Sequence, residues 1–265
     1  MDRVRIADVE ICYQILGQGP PLVMVMGFTA NMDWWPPELI NELSSRFTLI
    51  LFDNRGAGRS SSGNRVFSIR LFASDTAGLM ETLGIGRAHL MGVSMGGMIA
   101  QEFALRHQRM LNRLVLCCTA CGGIHTRLPK AEVLKIVAVR SNDIVEQTRR
   151  SMKVLYPPDF LSAHPEKFDQ VIEAVSKAPI TPANAKRQIM AIARHSTYRR
   201  LPGILRPTLI MTGSEDVLVP PSNSGLLAQR IPDSRLKVFE GAGHGFVGQY
   251  PLEVAEAVSE FLSHE

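Results

Sequence analysis

The sequence predicts an α/β fold, a mostly parallel sheet with helices on both of its faces. Short apolar runs alternate with segments whose apolar residues recur at helical spacing, a pattern typical of this fold class. The runs are continuous and bounded by Pro, Gly or polar residues, as in strands buried on both faces. Between about residues 122 and 203 only helical patterns remain. We therefore expect an α/β core, residues 1–121 and 204–265, with a helical cap, residues 122–203, inserted between two core strands.

The individual elements follow from local patterns in chain order. Alternating residues at the start predict a hairpin, the helical pattern that follows 67 ends before Gly84, and Pro251 opens the last helix. Pro-containing breaks divide the cap into four helices. The predicted elements are a hairpin over 3–9 and 10–16, strands over 21–27 and 47–53, a helix over 67–83, a strand over 88–94, a helix over 95–107, a strand over 113–120, cap helices around 130–139, 142–155, 165–176 and 182–195, strands over 207–213 and 235–241, and a helix over 251–263.

The composition is that of an ordinary globular protein and gives no sign of a membrane or nucleic-acid partner. Of 265 residues, 45% are hydrophobic and 20% are charged, which are ordinary values. There is no apolar run of about 18 residues and no signal-like start, so we expect a cytoplasmic protein that does not contact membranes. The net charge of +4 comes from scattered basic residues, and we therefore expect no nucleic-acid partner.

Ser94 lies in an unusual glycine-rich setting. The stretch Gly92-Val93-Ser94-Met95-Gly96 stands where a predicted strand turns directly into a helix. Side chains at positions 92 and 96 would collide with neighbouring backbone in so tight a turn, so glycine is needed there. The turn would hold the hydroxyl above the sheet, beside helix N–H groups that can bind a developing oxyanion. Ser94 is therefore our candidate nucleophile, and a serine that merely caps the helix is the plainer alternative.

His244 is the candidate base among the seven histidines. A serine hydroxyl is a weak nucleophile and needs a base. His244 lies in the loop Gly241-Ala242-Gly243-His244-Gly245, after a strand and before the last helix. We expect this glycine-rich loop to carry a mobile imidazole back to the serine.

An acidic residue should orient this imidazole, and Asp216 is the candidate. It follows the strand over 207–213, so it lies at the same edge of the sheet as the serine and the histidine. Its neighbour Glu215 should point elsewhere, since adjacent side chains usually diverge.

The four cysteines, Cys12, Cys117, Cys118 and Cys121, give no pattern for a metal site. Cys118 and Cys121 have the spacing of a redox motif, but the run RLVLCCTA is typical of a buried strand, in which Cys acts as a small hydrophobe. Histidines do not cluster with them in the sequence. We expect no metal and no cofactor.

The order serine, acid, histidine, together with the glycine-flanked serine, resembles the α/β-hydrolase superfamily over essentially the whole chain. The segment FDNRGAGRS (52–60) is similar to a loop of that family. Among the members of that superfamily, the chain most resembles small carboxylesterases, enol-lactonases and cofactor-free perhydrolases. The resemblance implies a Ser94–His244–Asp216 catalytic triad and a cap that forms much of the substrate pocket.

The resemblance also implies an oxyanion hole made of two backbone N–H groups, those of Phe28 and Met95. Members of the family often have His-Gly before the first of these donors, whereas this chain has Met26-Gly27. Since the donors are backbone groups, the chemistry stays possible, and Met26 makes the pocket floor more apolar.

Large apolar residues in or beside the predicted loops are candidates for substrate contact, with an ordinary place in the core as the alternative. They are Met26, Trp34, Trp35, Met98 and Phe246. This apolar set favours uncharged, rather hydrophobic substrates.

We therefore expect a serine hydrolase that cleaves carboxylic esters through an acyl-enzyme. Its expected substrates are small esters or esters with a hydrophobic acyl group. Lactonase, perhydrolase and carbon–carbon bond hydrolase activities stay open, because they would use the same three residues. A ligand-binding receptor with little turnover also stays open. The expected partner is a small-molecule ester, and the sequence does not decide between a monomer and a homo-oligomer.

Overall fold

The computed structural model describes residues 1–138 and 143–263, and its described strands form one sheet. The strands are β1 (Asp2–Ile6), β2 (Val9–Leu16), β3 (Pro21–Val25), β4 (Thr48–Phe52), β5 (Ala88–Val93), β6 (Leu111–Cys117), β7 (Thr208–Gly213) and β8 (Ser234–Phe239). Their spatial order is β1-β2-β4-β3-β5-β6-β7-β8. Strand β2 pairs antiparallel with β1 and β4, and every other pair is parallel. The predicted mostly parallel sheet is confirmed.

Helices follow most strands and cover both faces of the sheet. They are α1 (Pro37–Ser44), α2 (Ile69–Thr82), α3 (Met95–Arg106), α4 (Ala131–Ala138), α5 (Ile144–Leu155), α6 (Pro158–Ala163), α7 (Glu166–Lys177), α8 (Pro182–Ala193), α9 (Ser222–Arg230), α10 (Phe246–Gln249) and α11 (Pro251–Ser263). Helices α1, α6, α9 and α10 were not among the predicted elements. None of the helices described here has both the length and the apolarity needed to cross a membrane.

Strand β3 shows how the apolar runs build two cores. Its side chains alternate between the faces, as the strand period of two requires. Val23 and Val25 pack into the core that includes residues of α2 and α3, whereas Leu22 and Met24 pack into the core that includes residues of α1 and α11. A strand with both faces buried therefore needs a continuous apolar run, as in this sequence.

Helices α4 to α8 lie in sequence between β6 and β7. Met152, Tyr156 and Val171 form a small apolar cluster there, against which Trp34 packs. The end of the segment is tied to the core, because the Thr197 hydroxyl donates to Gln101 Oε1 at 2.6 Å. Residues 139 and 142, where the predicted helices 130–139 and 142–155 end and begin, lie outside the described residues, as do 264 and 265.

Candidate active site

Ser94 occupies the turn between β5 and α3 with a strained backbone. Its φ is 56° and its ψ is −117°, in a region that non-glycine residues rarely adopt. The surroundings hold it there: the Ser94 N–H donates to the Cys117 carbonyl at 2.9 Å, and the Thr119 hydroxyl donates to the Ser94 carbonyl at 2.7 Å. The side chain is half-buried and lines a cavity.

The glycines beside Ser94 are required by close packing. A Cβ at Gly92 would lie 2.3 Å from the Gly96 carbonyl oxygen, and a Cβ at Gly96 would lie 2.1 Å from the Val25 carbonyl oxygen. Backbone atoms cannot move aside as a flexible side chain can, so neither position accepts a larger residue. The predicted collisions at positions 92 and 96 are confirmed.

Asp216 and His244 form a buried hydrogen-bonded pair. The distance from His244 Nδ1 to Asp216 Oδ2 is 2.8 Å. The other carboxylate oxygen accepts the N–H groups of Leu218 and Val219 at 2.9 and 2.7 Å, which fixes the orientation of the acid. Glu215 is exposed, as expected for the neighbour that points elsewhere.

The His244 loop is held by the end of α5 rather than free to move. Gly245 N–H donates to the Leu155 carbonyl at 2.7 Å. A Cβ at Gly243 would lie 2.6 Å from that carbonyl oxygen, and one at Gly245 would lie 2.5 Å from the Tyr156 ring. The glycines therefore allow close packing against the end of α5, which corrects the expectation that they give the imidazole mobility.

The surroundings of His244 raise the pKa of its imidazole. Burial alone disfavours the charged ring and would lower the pKa. The negative charge of Asp216 and its hydrogen bond to the ring, with a smaller contribution from Cys118, outweigh burial, so the pKa lies well above its ordinary value of 6.5. We take Asp216 as the main cause, because its carboxylate is 2.8 Å from Nδ1.

Cys118 belongs to the same cluster, which the sequence did not predict. Strand β6 ends at Cys117, and Cys118 leaves it with a φ of 40°, so the predicted strand over 113–120 is too long. The Cys118 sulfur, an Asp216 carboxylate oxygen and a His244 ring nitrogen all lie within 4.8 Å of one another. The sequence shows no pattern that brings a cysteine close to a histidine, and only the fold places Cys118 beside His244.

The candidate oxyanion donors lie on two segments that meet at Ser94. A Cβ at Gly27 would be 3.1 Å from Ser94 Cβ and 3.8 Å from the Met95 nitrogen, so the segment leading to Phe28 runs beside the turn. Met95 is the first residue of α3, where backbone N–H groups have no partner within the helix. This arrangement leaves the Met95 N–H available to a ligand.

The loop after β4 holds the Met26–Met32 segment in place, a role that the sequence analysis missed. Asn54 Nδ2 donates to the Met26 carbonyl at 2.8 Å. The Asp53 carboxylate accepts the N–H groups of Met32 and Arg59 at 2.8 and 2.7 Å. The sequence showed FDNRGAGRS as a loop, but no local pattern shows which segment its amides and carboxylates bind.

A cavity of about 230 Å³ opens at Ser94 and His244. Helices α4, α5 and α7 contribute part of its wall, including the polar residues Gln147, Ser151 and Lys167. Three of the five predicted contact residues line the cavity, namely Met26, Trp34 and Trp35. Other apolar side chains that line it include Phe28, Val93 and Val247.

Two predicted contact residues, Met98 and Phe246, do not line this cavity. Met98 is 8% exposed and belongs to the core that includes α2 and α3 residues. Phe246 is fully buried on the other face and packs against Phe239, with 5.0 Å between the ring centroids. Their closeness in sequence to Ser94 and His244 was misleading, because the first turn of each following helix points its large side chains into the core.

The chain belongs to the α/β-hydrolase family. The profile of that family, described as "alpha/beta hydrolase fold", matches residues 20–249. Together with the mostly parallel sheet, this match makes the protein a hydrolase of the α/β-hydrolase fold.

Relatives and solved structures match over nearly the full length. The chain is 28% identical over 246 residues to the protein named "Putative carbamate hydrolase RutD" of Caulobacter sp. (strain K31), covering 92% of this chain and 91% of that one. An enol-lactonase from Burkholderia xenovorans LB400 has a TM-score of 0.88 at 24% identity, covering 99% and 100% of the two chains. A thermophilic esterase from Thermogutta terrifontis has a TM-score of 0.84 at 28% identity, covering 99% and 98%.

Proposed function

We propose that this hydrolase cleaves carboxylic esters through an acyl-enzyme, with Ser94 as nucleophile, His244 as general base and Asp216 as the acid that orients it. The observation that carries the proposal is the buried hydrogen bond of 2.8 Å between His244 Nδ1 and Asp216 Oδ2, at a cavity that Ser94 also lines. Among the described residues no hydrogen bond joins Ser94 Oγ to the imidazole. Such bonds are often long in ligand-free structures and shorten when substrate binds.

The proposed reaction has two halves. Ser94 Oγ attacks the ester carbonyl while His244 Nε2 takes the hydroxyl proton, and His244 then returns this proton to the leaving alcohol. A water molecule, activated by the same imidazole, hydrolyses the acyl-enzyme and frees the acid. Asp216 accepts a hydrogen bond from Nδ1–H throughout, so in the neutral ring the other nitrogen, Nε2, is unprotonated and can act as the base.

The oxyanion of each tetrahedral intermediate accepts the N–H groups of Phe28 and Met95. Two observations support this assignment of the oxyanion donors: the Gly27 segment approaches Ser94, and Met95 is at the start of α3. Removing one donor of this kind typically costs about 10²–10³ in turnover. These donors are rigid because Asn54 and Asp53 hold the first segment and the helix holds the second.

The preferred substrates carry a small or hydrophobic acyl group. The support is the apolar wall around Ser94, to which Met26, Trp34 and Trp35 contribute. Residues 122–203 act as the cap in this proposal, since side chains of α5 and α7 close the other side of the cavity.

Carbamate hydrolysis is the second candidate function, and the relatives named as carbamate hydrolases favour it. A carbamate presents the same kind of carbonyl to Ser94, with nitrogen in place of the first acyl carbon. The same three residues and the same oxyanion donors would serve it. Phenyl esters and phenyl carbamates release the same leaving group, phenol. The ratio of their kcat/KM values, each divided by the uncatalysed rate of hydrolysis, therefore reports the acyl preference of the protein.

The nucleophile is tested with Ser94→Ala and an exposed serine, Ser162→Ala, as the control. A methyl group fits where the hydroxyl was, so the variant should fold and lose at least about 10³-fold in turnover of a p-nitrophenyl ester. A serine-directed phosphonate should add to the wild type and to Ser162→Ala but not to Ser94→Ala, as measured by intact mass. Labelling of Ser94→Ala, or near-normal turnover by it, would reject Ser94 as the nucleophile.

The remaining alternatives are separated by substrate panels. Esters of increasing acyl length, lactones, β-diketones and peroxide-dependent acyl transfer are assayed with the same preparation. Phosphonate labelling with no turnover of any of them would instead support a ligand-binding receptor.

A further inference from the structure

Cys118, Asp216 and His244 bring three kinds of donor atom together at one edge of the sheet. The three residues follow β6, β7 and β8, so three rigid strands position them. All three are buried, with exposures of 0%, 3% and 5%. A thiolate sulfur, a carboxylate oxygen and an imidazole nitrogen are the ligand types that Zn²⁺ uses in proteins.

We propose that Cys118, Asp216 and His244 form an inhibitory binding site for a soft divalent cation, with Zn²⁺ as the ion that fits. Bonds to Zn²⁺ of about 2.0–2.3 Å in a tetrahedral site place neighbouring ligand atoms roughly 3.3–3.7 Å apart. The three donor atoms already lie within 4.8 Å of one another. The Asp216–His244 distance, now 2.8 Å, has to widen by less than about 1 Å.

Occupation of this site blocks the base that the proposed function requires. A protonated His244 gives up its Nδ1 proton to solvent when the ion binds there, which leaves its single ring proton on Nε2, and the Cys118 thiol releases its own proton to solvent as well. An Nε2–H group is a donor, so it cannot take the proton of Ser94. The inhibition therefore rests on the proposed function, whereas the binding of the ion does not.

The cavity supplies a path to the cluster. His244 lines it, whereas Cys118 and Asp216 are buried and are not among its lining residues. An ion therefore reaches the sulfur past the edge of the His244 ring, and a ligand that fills the cavity should slow its entry.

The inhibition is measured with Zn²⁺ alone, on tag-free protein kept reduced by a phosphine. Cys118→Ala removes the sulfur, and Cys118→Gly does so while also suiting the φ of 40°. Cys121→Ala is the matched control, because Cys121 is buried but lies outside the cluster. Each variant is compared with its own metal-free rate.

Wild type and Cys121→Ala should lose activity at micromolar Zn²⁺ and recover it with EDTA. Both Cys118 variants should need at least about 100-fold more Zn²⁺, since the loss of even an outer partner of a zinc site can cost that much. The proposal would be overturned if a folded Cys118 variant were inhibited by the same Zn²⁺ concentration as the wild type. It would also be overturned if Zn²⁺ did not inhibit the wild type.

Co²⁺ provides a readout that does not depend on turnover. Wild type and Cys121→Ala should each bind one Co²⁺ with a thiolate-to-cobalt charge-transfer band and the visible bands of tetrahedral cobalt. The Cys118 variants should lack the charge-transfer band, and its persistence in them would refute the site. If the band forms in a wild type that hydrolyses no ester, the metal site stands and the proposed function fails.

Discussion

Asp216 is buried and its neighbour Glu215 is exposed, so the two form a matched pair for testing which carboxylate orients His244. Asp216→Asn replaces an acceptor with an amide that favours the wrong imidazole tautomer. The matching change in a serine protease lowers turnover about 10⁴-fold, and we expect a loss of 10²-fold or more, roughly, in ester hydrolysis here. Glu215→Gln should change kcat less than about twofold because the side chain is exposed. The reverse result would move the orienting role to Glu215.

The raised pKa of His244 predicts the pH dependence of the reaction. Asp216 stabilises the imidazolium, so the ring stays protonated to higher pH than a free histidine, and a protonated ring cannot act as a base. We expect kcat/KM to rise with pH with a midpoint above the ordinary value of 6.5. Asp216→Asn should lower this midpoint, and Glu215→Gln should leave it unchanged. A wild-type midpoint below that ordinary value would contradict the assigned cause.

The candidate site residues differ in how much signal the sequence carries for them. Ser94 and His244 stand among glycines that close backbone contacts require, so a local pattern reveals their positions. Cys118 lies in an apolar run that predicts an ordinary strand. Its approach to His244 depends on where β6 ends and on one positive φ, and neither can be read from neighbouring residues.

The junction of β5 and α3 is the element most sensitive to a single methyl group. Gly96→Ala places a Cβ against the Val25 carbonyl oxygen, and strand β3 cannot give way without disturbing the sheet. We expect the free energy of unfolding to fall by about 1–3 kcal/mol or more in urea denaturation. Gly86→Ala is the control, since nothing lies within 4 Å of its Cβ. Equal stability of Gly96→Ala and wild type would show that the strand and helix can separate at little cost.

Helix α9 offers the opposite prediction. Gly225 is inside this helix, and a Cβ there would meet open space. Gly225→Ala should stabilise the protein by about 0.5–1 kcal/mol, because Ala loses less backbone entropy on folding. A lower urea midpoint for the variant would mean that the helix needs glycine for a reason that its neighbours do not show.

The same glycine explains why the sequence did not predict α9. The segment SNSGLLAQR begins with residues that favour caps and turns and has only two adjacent leucines as an apolar signal. Helix α1 is also short, with Leu39 and Leu43 as its buried positions. Longer helices such as α2 and α11 present several apolar turns, and their pattern was therefore sufficient.

For the whole molecule, two buried histidines predict a loss of stability in acid. Burial is the main reason that the pKa values of His89 and His195 are lowered to about 4. Nearby positive charges contribute to the lowering, from Arg113 at His89 and from Arg200 and Arg70 at His195. Between about 6.5 and about 4 the unfolded chain therefore binds protons that the folded chain does not. The free energy of unfolding should fall by a few kcal/mol as the pH drops through this window.

Variants of the two histidines separate this cause from carboxylate protonation. Glu102, which pairs with Arg200 and lies 3.7 Å from His195, has a lowered pKa and loses its contribution only at more acid pH. His244 does not contribute to this fall, because its raised folded pKa adds stability that is fully present below the unfolded value of 6.5. His89→Gln and His195→Gln should each flatten the dependence measured by urea denaturation at several pH values. An unchanged slope in both would place the titrating groups elsewhere.

The hydrogen bond from Gly245 to the Leu155 carbonyl has a consequence for protein engineering. Exchanging the helices between β6 and β7 for those of a relative is an obvious way to alter substrate choice. In this chain, however, such a transplant also replaces the surface on which the His244 loop rests. A chimera that keeps the residues corresponding to Leu155 and Tyr156 should retain its turnover number. One that changes them should shift His244, and its turnover number should fall together with the change in specificity.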